Sequence, residues 1–157
     1  MPELWTFGKG IMFTALKKLF ASKPKMERVP IMHPTLGLIT YSEEEDAWLT
    51  APSHASLGFR FHIAGEEVPA SALVSHAESV ARDPLAFRKM VSTFLEVEAK
   101  RLKDQEDTVR KLEIEMLCLF WPDRPDDGMI YFSGGERYGV WRCDYKNRKP
   151  VGLGFDS

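Results

Sequence analysis

Four histidines, His33, His54, His62 and His76, are the side chains best suited to acid–base work near neutral pH. None stands at metal-ligand spacing with another histidine, a cysteine or a carboxylate on a predicted helix face, so no metal site is expected. Ser53 and Ser56 flank His54, but neighbours in sequence do not make the geometry of a nucleophile–base pair. Asp123, Asp126 and Asp127 before Gly128 suggest a calcium loop until the spacing is counted. From Asp123 the third position is Pro125, and the twelfth is Gly134, where a bidentate glutamate belongs. Gly134-Gly135 and Gly152/Gly154 fit no phosphate-loop pattern and read as turn glycines. The expectation is therefore no catalytic residue, no metal and no cofactor.

Two other patterns concern binding. Residues 137–149 interleave Tyr138, Trp141 and Tyr145 with Arg137, Arg142, Lys146, Arg148 and Lys149, as a nucleic-acid surface would. Period two divides them differently. Trp141, Cys143 and Tyr145 face one side, Tyr138, Val140, Arg142 and Asp144 the other, and 146–149 is a solvated turn. Nucleic-acid binding through 137–149 is thus a lesser reading. The second pattern is two polar rows, Arg60/His62 and Tyr138/Arg142, which converge if their strands are adjacent. With Tyr131 they outline a small-ligand or enzyme pocket of Arg60, His62, Tyr131 and Arg142.

The elements that must position these residues follow from periodicity. LGLITY (36–41), the acidic turn Glu43–Asp46 and AWLTA (47–51) read as a hairpin. In LGFRFHIAG (57–65), Phe59, Phe61 and Ile63 alternate with Arg60 and His62, which predicts an antiparallel strand covered on one side. Residues 71–83 form a helix with Ser71 as its cap. Asp83 and Pro84 open a second, running to about residue 108. Residues 111–121, 128–135, 137–145 and 151–155 are strands again, separated by the turns PDRPDDG and KNRKP. Strands, then helices, then strands argue an α+β domain, an antiparallel sheet with two main helices on one face.

Residues 1–30 stand apart. They carry a net charge of +4 against −6 for the rest, and −2 for the whole 157-residue chain. From about Gly10 the spacing of Phe13, Leu16, Leu19 and Phe20 predicts an amphipathic helix, with Lys17 and Lys18 facing away. Pro24 and Pro30 make 22–34 a linker. The division is an arm over 1–30 and one domain over 31–157. Such an arm packs on its own domain, docks on a second copy or another protein, or lies on an anionic membrane surface, with Trp5, Phe13 and Phe20 as contacts.

Lys17 and Lys18 break any signal-peptide core, and no run approaches a membrane span. Cys118 and Cys143 are too few and too widely spaced for a disulfide scaffold. The expected address is the cytoplasm.

LGLITYSEEEDAWLTA, the alternating strand, the helical middle and DGMIYF…YGVWR together resemble small uncharacterised bacterial α+β domains, over about residues 34–155. Some of those families are encoded near toxins. The resemblance implies an immunity or accessory protein and carries over no functional residue. The leading expectation is a non-enzymatic interaction module, self-associating, using Trp48, Tyr138, Arg142 and the arm residues. The pocket of Arg60, His62, Tyr131 and Arg142 is the alternative.

Overall fold

The structure, a computed structural model, describes residues 26–51, 57–135 and 139–157. The expected N-terminal helix with Trp5, Phe13 and Phe20 lies outside the described residues, as do His54 and Tyr138.

Short alternating runs and tight turns build the first half. β1 (Ile31–His33), β2 (Gly37–Ser42), β3 (Ala47–Thr50) and β4 (Arg60–Ile63) pair antiparallel in chain order. His33 closes the first turn, its Nδ1 accepting the backbone N–H groups of Thr35 and Leu36, each at 3.1 Å. The acidic turn at 43–46 ends in Asp46 at φ 48°, where the Tyr41 hydroxyl donates to its carboxylate.

The helices follow: α1 (Ser71–Arg82), α2 (Pro84–Arg101), a 3-10 turn (Lys103–Gln105) and α3 (Glu106–Arg110). Asp83 caps α2 as the sequence predicts, accepting the Ala86 N–H at 3.1 Å, with Pro84 at the first turn. Ser71 is not a cap. It is the first helical residue, and Ala70 before it makes no side-chain cap bond. The single helix expected to 108 breaks at Leu102, which leaves the helical region at φ −99° and ψ 62°. Leu102 packs against the core, and the bend returns fully buried Val109 to it.

The second half is β5 (Glu113–Leu119), β6 (Gly128–Ser133), β7 (Val140–Lys146) and β8 (Lys149–Asp156), antiparallel in chain order. Asn147 and Arg148, at φ 49° and 63°, form the two-residue turn between β7 and β8.

The described strands make one eight-stranded sheet in the order β1 to β8. It is mixed, which corrects the antiparallel sheet expected from the sequence. β4 and β5 run parallel, with Arg60, Phe61, His62 and Ile63 opposite Met116, Leu117, Cys118 and Leu119. Parallel neighbours need a long crossover, and the helical segment between them is that crossover. The one-sided alternation of β4 reflects helices on a single face, not antiparallel pairing.

That covered face carries the core. One row runs Ile39, Thr50, Phe61, Leu117, Ile130, Cys143, Leu153, and another Tyr41, Trp48, Ile63, Leu119. They pack against Leu73, Ala77, Phe87, Val91 and Leu95 of the helices. Trp48, read from the sequence as a surface aromatic, is 0% exposed, its ring edge-on to Tyr41 at 5.5 Å.

Candidate functional site

Among the described residues, no helix lies over the opposite face of the sheet. Period two sends alternate residues there in two rows: Leu49, His62, Cys118, Met129, Asp144 and Val151, then Arg60, Met116, Tyr131, Arg142 and Gly154. At the centre is a cavity of about 390 Å³, lined by Glu45, Arg60, His62, Glu115, Met116, Cys118, Phe120, Tyr131 and Val140.

Each element contributes for a local reason. β4 supplies Arg60 and His62 two residues apart. A register shift between Ile114 and Met116 leaves Glu115 extra, and the kink places both Glu115 and Met116 on the cavity wall. β6 supplies Tyr131 opposite Met116. Glu45 comes from the tip of the β2–β3 hairpin.

Two of these groups have no polar partner among the described residues. The His62 Nδ1 is buried and has no hydrogen-bond partner among the described residues. Its ring meets Phe120 edge-on at 5.4 Å. Every other described arginine makes an ion pair, a hydrogen bond or a ring-stacking contact. Arg60 makes none of the three among the described residues.

Burial pushes the Tyr131 hydroxyl up from its ordinary value, and the neighbouring Cys118 adds to that. Cys118 forms the floor, 3% exposed, and burial with the Glu45 carboxylate pushes its thiol up to about 12. It is a thiol, not a thiolate, at neutral pH, and so a poor nucleophile.

The structure thus gathers Arg60, His62 and Tyr131 from the sequence-derived pocket. Arg142 stands directly across from Tyr131, but its guanidinium turns to the Asp156 carboxylate, with one contact of 3.3 Å, and to Met129. Sequence reading missed Glu45, Glu115 and Cys118. Their signal was weak: a charged residue inside an alternating run marks a bulge only once the pairing is known.

A second polar group lies on the helix side. His76, 3% exposed, has Nδ1 3.3 Å from Asp126 Oδ1 and Nε2 3.0 Å from the Tyr145 hydroxyl. Arg148 donates to the same Asp126 oxygen at 2.7 Å, and Asp127 accepts the Asn147 N–H at 3.0 Å. The acidic loop therefore clamps the β7–β8 turn and α1 together. Burial first, and then Arg148, hold His76 below its ordinary value of 6.5. Burial pushes Tyr145 up to about 12. Its buried members, His76 and Tyr145, are hydrogen-bonded to each other, while Asp126 and Arg148 at its outer end face solvent.

Among the described residues no group of three or more His, Cys, Asp or Glu side chains could hold a metal ion. No described helix is long and apolar enough to cross a membrane. Comparison with protein families, with curated proteins and with solved structures finds no match for this chain.

Proposed function

We propose that this protein is a non-enzymatic binding protein that takes a small polar ligand in the cavity on the sheet face opposite the described helices. The carrying observation is the convergence there of Arg60, which has no ion-pair or hydrogen-bond partner among the described residues, with His62 and Tyr131. A buried polar atom without a partner is costly and demands a reason. A ligand held against the His62 ring, drawing it toward the cavity, is one. The buried, protonated Cys118 thiol speaks against nucleophilic thiol catalysis in this cavity. The thiols are unpaired and on opposite faces of the sheet, which supports a reducing, cytoplasmic setting.

The test is a ligand screen by NMR on the full chain, with the histidine and tyrosine rings carbon-13 labelled. Ligands should move the His62 and Tyr131 signals together and lose that effect in Arg60→Gln. Hits that leave both rings unmoved, or no hits at all, would overturn the reading.

One observation favours a second reading, self-association through the same face. Met32 and Leu38 at one side of it, and Val140 and Val151 at the other, are exposed. Light scattering on the full chain and on Leu38→Lys decides it: a dimer that the variant dissociates supports this reading, and a monomer sinks it.

A further inference from the structure

Opposite charges share the cavity without pairing. Arg60 lies on one wall, and Glu45 and Glu115 line the same space. No ion pair joins Arg60 to either among the described residues. Of the other described arginines, Arg28, Arg88 and Arg124 stack on rings. Arg82, Arg101, Arg110, Arg142 and Arg148 each close on a carboxylate. The cavity therefore brings together positive and negative groups that make no ion pair with each other among the described residues.

A simple anion entering there would meet Arg60 favourably but face two carboxylates. A simple cation would have the carboxylates but face Arg60. A molecule bearing both charges satisfies both walls. The apolar surface of Phe120 and Val140 offers a place for a hydrocarbon group.

We propose, on the premise that the cavity is the ligand site, that it takes a zwitterion of the α-amino-acid type with an apolar side chain. The carboxylate meets Arg60 and the His62 ring nitrogen, and the ammonium meets Glu45 and Glu115. Bidentate pairing of a guanidinium with a carboxylate gives orientation as well as attraction.

The test titrates the ring-labelled full chain with leucine, phenylalanine and methionine. Leucinamide, which keeps only the positive charge, and N-acetylleucine, which keeps only the negative one, run beside them. N-acetylleucine also stands for the end of a polypeptide. At least one free amino acid should move the His62 and Tyr131 signals saturably, with both singly charged analogues at least tenfold weaker. Arg60→Gln and the double variant Glu45→Gln/Glu115→Gln should each abolish the response, and an unchanged amide spectrum elsewhere confirms their fold. An analogue that binds as tightly as the zwitterion would overturn the proposal. If a molecule from the general screen occupies the cavity and no amino acid does, the cavity stands and the zwitterion falls. If nothing occupies it, both fall.

Discussion

Cys118 stands directly opposite His62 across the parallel junction of β4 and β5. A cysteine beside a histidine suggests a nucleophile and its base. The environment argues the reverse, since burial and Glu45 hold the thiol near 12. Cys143 lies on the far face of the sheet, equally buried and also pushed up to about 12.

Native alkylation should therefore be slow at both positions. At pH 8 iodoacetamide is expected to label Cys118 and Cys143 together, at the rate of unfolding. Mass spectrometry under non-reducing conditions should find no bridge between them. Rapid, selective labelling of Cys118 would show an activated thiol and reopen a catalytic reading.

The His76 chain contributes stability through satisfaction rather than charge. Tyr145→Phe leaves the buried Nε2 of His76 without a partner and keeps the ring packing against Phe87. A loss of about 1–3 kcal/mol is expected, read by urea unfolding at pH 7.5. No measurable loss would mean that the hydroxyl carries nothing.

The same histidine sets a pH dependence. The groups facing it are Asp126, Arg148 and Tyr145, from the β5–β6 loop, the β7–β8 turn and β7. Its folded value lies below the ordinary 6.5, so the unfolded chain binds the proton more readily. Its contribution is complete above pH 6.5 and is lost as pH falls through the folded value. Asp126, also held low, chiefly by its bond from Arg148, adds a further loss below its ordinary 3.8. Urea midpoints from pH 7.5 to 5 should fall, and His76→Gln should flatten that slope. An identical slope in the variant would assign the dependence elsewhere.

Two glycines separate steric need from convenience. A Cβ on Gly128 would sit 2.1 Å from the Cys118 carbonyl oxygen, whereas one on Gly154 meets nothing within 4 Å. Gly128→Ala should cost about 1–3 kcal/mol. Gly154→Ala should stay within about 0.5 kcal/mol of the parent. Equal effects on thermal unfolding would refute the close approach of β5 and β6.

Arg60 should be dispensable for folding. With no ion pair among the described residues to lose, Arg60→Gln is expected to change stability by less than about 0.5 kcal/mol. A larger loss in urea would assign it a structural task.

What could be read in the sequence was whatever depends on period two. Phe61 and Ile63 against Arg60 and His62, and Trp141, Cys143 and Tyr145 against Arg142, fall on the faces that alternation assigns. The direction of the β4–β5 pairing was hidden, because alternation is blind to strand direction. In β5 the shift at Glu115 moves Ile114 and Met116 to different faces, although a strict alternation groups them. Trp48 misled for a related reason: in a four-residue strand beside an acidic turn, pattern alone does not say which side is covered. Glu45 and the His76–Asp126 contact depend on where distant loops meet, which no local spacing records.

The order of the sheet has a kinetic consequence. Every described strand neighbours the next along the chain, and six of the seven described junctions are antiparallel with short connections, so two meanders can each assemble from local contacts. Only the β4–β5 junction requires distant segments to meet, and the helices span the interval. The slow step of folding is therefore expected in the encounter of two half-sheets, a single seam that also runs beneath the cavity.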